Sequence, residues 1–116
     1  MRRTALIAIL LSFALAGCLV PLGDRVLQVK ANVVSETGTP LQGCVLGLHS
    51  AANDQAIEVK ANVHPEFLTS FINPPLRGAY YFKITCPGHS GFYRSGNNDF
   101  ASPPYFHDLG RVVIRG

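Results

Sequence analysis

Apolar and polar residues alternate along several segments of the chain after residue 24. The alternation is clearest in the runs 27–33, 44–48, 57–63 and 80–86, where every second residue is apolar. A period of two is typical of strands with one buried face. These runs therefore predict four strands, and two further short strands are predicted at 67–72 and 111–115.

One pentapeptide, Val-Lys-Ala-Asn-Val, occurs twice, at 29–33 and again at 59–63. In both copies the alternation predicts that the valines and the alanine face the core and that the lysine and the asparagine face solvent. The residues flanking the two copies do not repeat. We interpret the coincidence as shared strand patterning and not as an internal repeat.

Turn-forming residues separate the predicted strands, and no segment shows a helical stripe of useful length. The turns are predicted at 36–40, 50–55, 73–75 and 87–88, where glycine, proline, asparagine and serine accumulate. Short strands at this spacing indicate an all-β fold. We expect residues 25–116 to form a single antiparallel Greek-key β-sandwich of about seven strands.

The N-terminal segment has the pattern of an export signal. A short positive start, Met1-Arg2-Arg3, precedes an apolar run over 5–16 that only Ser12 interrupts. Such a run is too short to span a bilayer, which takes about 20 residues, but it suits the core of a secretory signal. We therefore predict a cleaved signal helix over residues 1–17.

The end of this run, Leu15-Ala16-Gly17-Cys18, resembles the lipobox of bacterial lipoproteins. The resemblance implies diacylglyceryl transfer to Cys18, cleavage before it and acylation, as with palmitate, of the new terminus. Leu19 stands where an aspartate would favour retention in the inner membrane, so the resemblance implies the periplasmic face of the outer membrane. Residues 18–24 are then a lipidated tether. An ordinary secreted protein with a cysteine after the cleavage site is the alternative.

Two cysteines remain if Cys18 carries lipid. Cys44 and Cys86 each share the parity of the apolar residues in their predicted strands, and an exported domain lies where disulfides persist. We expect a structural Cys44–Cys86 disulfide. The alternative is a reactive thiol, which needs a base nearby, and the local sequence supplies none.

Several turns and strands together resemble the carboxypeptidase-regulatory-like, or transthyretin-like, β-sandwich. The resemblance is carried by Gly38-Thr39-Pro40-Leu41-Gln42-Gly43-Cys44-Val45, by Gly78-Ala79-Tyr80-Tyr81-Phe82-Lys83-Ile84 followed by Pro87-Gly88, and by Leu109-Gly110-Arg111-Val112-Val113-Ile114. Members carry a small residue where Cys44 stands and usually an aromatic where His89 stands. The resemblance implies an accessory or binding module, and it transfers no catalytic residue.

Charge and composition argue against several classes of function. The chain has 10 basic and 7 acidic residues, and removing Arg2 and Arg3 with the signal leaves 8 against 7, a net charge of +1. A charge near zero argues against electrostatic capture of nucleic acid or of anionic lipid as the main activity, and we expect no nucleic-acid partner. The histidines lie in different segments and form no metal-binding spacing, the serines form no nucleophile elbow, and the carboxylates are dispersed. We therefore expect no enzyme, no metal site and no cofactor.

The segment 87–108 lacks clean alternation and is long for a loop in a small domain. It holds five of the ten aromatic residues that follow the signal, together with arginine and asparagine. These residue types anchor protein interfaces and stack on sugars. The candidate binding residues are Phe92, Tyr93, Arg94, Asn97, Asn98 and Tyr105. Alternatively, Phe100 and Phe106 only fasten this loop to the sandwich.

These observations predict a membrane-anchored, non-enzymatic docking module for another envelope protein. Binding of glycan or peptidoglycan fragments through the same aromatics is an alternative. Ser90-Gly91-Phe92-Tyr93 is also similar, one residue short, to a loop of periplasmic lysozyme inhibitors, which makes lysozyme inhibition a further alternative.

Overall fold

The structure of the protein is a computed structural model that describes residues 25–116. The predicted signal segment 1–17, Cys18 and the tether 18–24 lie outside the described residues. The described residues form eight strands and no helix, which confirms the all-β prediction. The strands are β1 (Val26–Ser35), β2 (Cys44–Ser50), β3 (Ala56–Val63), β4 (Glu66–Ile72), β5 (Ala79–Thr85), β6 (Phe92–Arg94), β7 (Asn98–Asp99) and β8 (Phe106–Ile114).

The strands form two sheets. One has three strands in the order β4-β1-β8, and the other has five, with the order β3-β2-β5-β6 and with β7 also paired to β5. The extra strands relative to the sequence prediction are β6 and β7, which are three and two residues long and lie in the segment predicted to be irregular. Strands this short show no alternation long enough to detect.

The prediction of a wholly antiparallel sandwich is wrong for one pair of strands. β1 and β8 run parallel, from Gln28 beside Phe106 to Ser35 beside Ile114. Alternation indicates that one face of a strand is buried, but it carries no information on strand direction. A parallel pair needs a long crossover between its strands. Here the crossover is the chain from β2 to β7, which lies between β1 and β8 in sequence.

The first half of β3 faces the opposite way from the prediction. Lys60 pairs with the buried Leu46 and Val59 pairs with Gly47. Residues paired across an antiparallel ladder lie on the same face, so Lys60 lies on the core side and Val59 on the outer side. Ile57, of the same parity as Val59, is also exposed. The alternation of β3 was therefore detected correctly, but the wrong face was assigned to the core.

A bulge in β3 then exchanges the two faces. Between the pairs Leu46–Lys60 and Cys44–Val63, two steps along β2 lie opposite three steps along β3. Asn62 has a φ of 54°, a left-handed conformation that asparagine tolerates. Val63 therefore turns inward and packs against the core.

The apolar faces of the two sheets form one core. Leu27 and Val29 of the three-stranded sheet belong to the same buried cluster as Leu46 of the five-stranded sheet. The rings of Phe71 in β4 and Phe82 in β5 lie 6.2 Å apart across the interface between the sheets. The predicted inward residues of β5 are all confirmed as buried, and they are Tyr80, Phe82 and Ile84.

The predicted disulfide between Cys44 and Cys86 is present. Val45 pairs with Thr85, so the two cysteines lie opposite each other at the end of the β2–β5 ladder, with their Cα atoms 4.1 Å apart. Both are buried and belong to the core cluster. The bond therefore joins the two central strands of the five-stranded sheet.

Candidate functional site

The structure brings only some of the candidate binding residues together. In β6, Phe92 and Arg94 project from the outer face of the five-stranded sheet, because they pair with Thr85 and Lys83, whose parity in β5 is outward. Tyr93 between them faces inward and packs against the core. Tyr105 lies elsewhere, in a cleft with Arg25 and Val26 at the start of the three-stranded sheet.

The turn between β6 and β7 positions the Arg94 side chain. Arg94 Nη2 donates a hydrogen bond to Asn97 Oδ1 at 3.1 Å, and Nη1 donates to the Ser95 carbonyl oxygen at 3.2 Å. Asn98 Nδ2 donates to the Gly96 carbonyl oxygen at 3.2 Å. Asn97 therefore holds the Arg94 side chain and Asn98 holds the turn. Both asparagines support Arg94 and are not themselves the contact surface.

Arg94 lies over the ring of Tyr81, which is not among the predicted binding residues. Its guanidinium carbon is 3.8 Å from the centroid of the Tyr81 ring. The ring of His49, opposite Tyr81 in the β2–β5 register, lies nearly parallel to it at 5.3 Å. Tyr81 Oη donates a hydrogen bond to Asp54 Oδ1 at 3.0 Å. The outward parity of Tyr81 in β5 was the available signal, but the residue is only 5% exposed, because Arg94 and His49 lie against its ring.

A second cation lies over a second aromatic ring on the same face. Lys83 Nζ is 4.7 Å from the centroid of the Phe92 ring, and Lys83 is paired with Arg94 in the β5–β6 ladder. Among residues 25–116, neither cation has a carboxylate within ion-pair distance. Cation–π contacts hold both side chains in place without neutralising them, so both charges remain available to an anionic group.

Apolar side chains complete this face. Val59 is 50% exposed and Phe92 57% exposed. Between Val59 and Lys83 lies Gly47, where an added Cβ would be 2.5 Å from Nε2 of His49. The glycine therefore leaves room for the His49 ring to lie against the sheet. We call the surface formed by His49, Val59, Tyr81, Lys83, Phe92 and Arg94 the Arg94 face.

Burial determines the protonation of the tyrosines on and beneath this face. Burial under the stack, with the hydrogen bond to Asp54 as the second cause, raises the pKa of Tyr81, against a smaller opposing effect of Arg94. Burial also raises the pKa of Tyr93. Both phenols are therefore neutral at physiological pH and contribute as rings and hydrogen-bonding groups.

A second polar contact lies on the inner side, between the two sheets. Tyr80 Oη and His107 Nε2 are 2.8 Å apart, and the His107 ring also packs edge-on against Phe82 at 5.3 Å. Burial, with smaller effects of Tyr105 and Asp99, raises the pKa of Tyr80 to about 12. Burial lowers the pKa of His107, against a smaller opposing effect of a hydrogen bond to the Pro104 backbone.

This contact predicts that the folding stability of the domain depends on pH through the protonation of His107. Because its pKa is lowered on folding, the unfolded chain binds a proton that the folded chain does not, and stability falls as the pH drops below about 6.5. We expect His107→Gln to make urea stability less dependent on pH between about pH 7 and pH 5, since glutamine does not titrate there. Equal slopes for the variant and the wild type would contradict this account.

The other histidines lie apart. His64 is in the turn between β3 and β4, and His89 Nδ1 contacts the Pro87 carbonyl oxygen at 3.1 Å. Over residues 25–116, no three His, Cys, Asp or Glu side chains are grouped so that they could hold a metal ion. No helix in the described part of the chain is long and apolar enough to cross a membrane.

An open groove lies on the other side of the molecule, over the outer face of the three-stranded sheet. It has a volume of about 390 Å³ and is lined by Lys30, Asn32, Glu66, Leu68 and Asp108, among others. Its charges are mixed, and Lys30 lies beside Asp108 in the β1–β8 register. This groove therefore offers no concentrated charge or aromatic group comparable to the Arg94 face.

Comparison with known proteins identifies no family for this chain. No model of a known protein family matches the sequence, and no curated protein matches it.

Proposed function

We propose that this protein is a lipid-anchored, non-enzymatic docking module at the periplasmic face of the outer membrane, and that it binds another envelope protein through the Arg94 face. The anchor is Cys18, in the lipobox-like sequence Leu15-Ala16-Gly17-Cys18. The observation that carries the docking role is the guanidinium of Arg94, held 3.8 Å over Tyr81 beside exposed apolar side chains.

The positioning of Arg94 favours binding. Arginine and aromatic residues are enriched among those that contribute most to protein interfaces, and a long side chain normally loses rotamer freedom on binding. Here the ring of Tyr81 and the oxygen of Asn97 have already fixed the guanidinium. Less entropy is therefore lost when a partner carboxylate accepts its hydrogen bonds.

The rings on this face favour a protein partner over a sugar. Stacking on a sugar needs an aromatic ring with an open face. Arg94 covers the ring of Tyr81 and Tyr93 faces the core, so Phe92, which is 57% exposed, is the one phenylalanine or tyrosine ring of this face left open, and Lys83 lies over one side of it. We propose that the partner presents an acidic side chain to Arg94 and Lys83 and an apolar group to Val59 and Phe92.

We further propose that the domain is a transthyretin-like sandwich. The three segments that carry the resemblance correspond to the β1–β2 connection, β5 and β8. These segments contribute central strands of the five-stranded sheet and an outer strand of the three-stranded sheet, so the resemblance involves both layers and agrees with the role of an accessory module.

Photo-crosslinking in intact cells tests the docking role. A photoreactive residue at Val59 is expected to give a discrete adduct with an envelope protein, and Arg94→Gln is expected to reduce that adduct about tenfold, because about 1.4 kcal/mol of binding is lost with the charge. The matched control is Leu68, which is 61% exposed on the other sheet. An equal adduct at Leu68, or one that Arg94→Gln leaves unchanged, would count against the proposal.

The anchor is tested separately by metabolic labelling with radioactive palmitate. We expect the wild type to be labelled and to remain with the membranes, and Cys18→Ser to be unlabelled, because without the thiol there is no diacylglyceryl transfer, and the cleavage and acylation of the new terminus do not follow. A wild-type protein that stays unlabelled and appears in the osmotic-shock fluid would overturn the anchor.

A further inference from the structure

Exposed apolar side chains concentrate at the start of β1. Val26 and Ile72 pair across the β1–β4 ladder on the outer face of the three-stranded sheet and are 39% and 51% exposed. Phe106, beside Gln28 in the β1–β8 register, is on the same face and is 47% exposed. Tyr105 lines a cleft with Val26.

Leu76 lies at the same end of the molecule. It follows Pro75, whose carbonyl oxygen accepts a hydrogen bond from Arg25 Nη1 at 3.3 Å, and it is 70% exposed. We call the surface formed by Val26, Ile72, Leu76, Tyr105 and Phe106 the N-terminal patch. It contains five of the ten large hydrophobic side chains that are exposed among the described residues.

The point where the tether joins the domain is fastened to this patch. Arg25 N donates to Asn73 Oδ1 at 3.1 Å, and Asn73 N donates to the Arg25 carbonyl oxygen at 2.8 Å. The Arg25 guanidinium also donates to the carbonyl oxygens of Pro74 and Phe100 at 3.1 and 3.4 Å. These bonds hold the first described residue to the loop that carries Leu76.

The length of the tether limits the distance between the patch and the lipid. Cys18 and Arg25 are seven residues apart in sequence, and an extended chain spans at most about 3.5 Å per residue, or roughly 24 Å in all. A lipid on Cys18 therefore keeps the start of β1 within roughly 24 Å of the membrane surface, which is less than the thickness of the hydrocarbon core, about 30 Å. The apolar side chains nearest to that point are those of the N-terminal patch.

The residue types of the patch suit the boundary between lipid headgroups and acyl chains. Aromatic rings and aliphatic side chains partition into this region, and arginines reach the lipid phosphates. The segments 25–26, 72–77 and 103–106 that form the patch contain two arginines, Arg25 and Arg77, and no aspartate or glutamate. No acidic side chain in these segments repels an anionic membrane surface.

We propose that the N-terminal patch is a membrane-docking surface that rests on the phospholipid leaflet holding the Cys18 lipid. This proposal depends on the lipid anchor of the proposed function and adds an orientation to it. Three of its residues, Val26, Ile72 and Phe106, are on the outer face of the three-stranded sheet, whereas the Arg94 face is on the outer face of the five-stranded sheet. Docking of the patch therefore turns the Arg94 face away from the bilayer, where a partner can reach it.

Depth-dependent fluorescence quenching tests this orientation. The chain contains no tryptophan, so Phe106→Trp and Val59→Trp each introduce a single reporter, at sites that are 47% and 50% exposed. Each variant is purified from membranes and reconstituted in vesicles of phosphatidylethanolamine and phosphatidylglycerol that contain doxyl-labelled lipid. We expect quenching at least about threefold stronger at position 106 than at position 59, because only the patch enters the headgroup region.

A second variant tests whether the apolar contact is the cause. Adding Ile72→Asp to Phe106→Trp is expected to reduce the quenching toward that of Val59→Trp, because a carboxylate is costly to bury among lipids. Equal quenching at the two reporter positions in a palmitate-labelled protein would overturn the docking surface and leave the anchor standing. An unlabelled protein that does not float with the vesicles would overturn both.

Discussion

Cys44→Ala combined with Cys86→Ala is expected to lower the free energy of unfolding by about 4 kcal/mol. The disulfide closes a loop with a sequence separation of 42 residues, and opening this loop restores conformational freedom to the unfolded chain. For a domain of this size the melting temperature should fall by roughly 15 to 30 °C. Thermal unfolding followed by circular dichroism measures the change.

Reduction of the wild-type disulfide supplies the control. Dithiothreitol should lower the melting temperature of the wild type nearly to that of the double variant, and it should leave the variant unchanged, because the variant has no bond between positions 44 and 86 to break. A double variant as stable as the oxidised wild type would show that packing of the core cluster alone holds β2 and β5 together.

Phe100→Ala is expected to lower the free energy of unfolding by about 3 to 5 kcal/mol. Phe100 is 3% exposed, and its ring stacks on Tyr80 at 4.2 Å. Removal of the ring leaves a cavity beside Tyr80 and admits water to the contact with His107. The pKa of His107 should then rise toward its ordinary value, because the burial that lowers it is partly lost. Urea unfolding and an NMR titration of the histidines measure the two effects.

Phe106→Ala is the matched control for this experiment. It removes the same side chain six residues further along, where the ring is 47% exposed, and we expect less than about 1 kcal/mol of destabilisation. From the sequence alone, both phenylalanines could fasten the loop to the sandwich. The structure gives that position to Phe100 alone, so comparable losses for the two variants would contradict this distinction.

The sequence predicted strand faces best where a strand has neighbours on both sides. β5 lies between β2 on one side and β6 and β7 on the other, and its inward residues Tyr80, Phe82 and Ile84 were all assigned correctly. β3 lies at the edge of the sheet and pairs only with β2. A bulge there disrupts the hydrogen bonds of one strand pair instead of two. Its pentapeptide is identical to that of β1, so local sequence could not reveal that most of β3 faces the other way.

The candidate site was predicted only in part, for a similar reason. Phe92 and Arg94 were selected from composition, but the ring beneath Arg94 belongs to Tyr81 on the neighbouring strand. That contact depends on the β5–β6 register, in which Arg94 pairs with Lys83, eleven positions away in sequence. Tyr105 was grouped with Arg94 because the two are close in sequence. They separate because the chain crosses from one sheet to the other between β7 and β8.

If Cys18 anchors the protein as proposed, the bulge in β3 also bears on how neighbouring copies interact on the membrane. Anchored proteins reach a high local density, and an open strand edge then invites pairing between molecules and, eventually, aggregation. β3 is such an edge, but Asn62 interrupts its regular hydrogen-bonding groups. Lys60, which pairs with Glu58 and lies 5.4 Å from the Phe71 ring centroid, places a charge on the inner side of the same edge. A second copy that added its own strand there would have to bury that ammonium, so the bulge and the inward-facing lysine of β3 together disfavour pairing between copies at this edge.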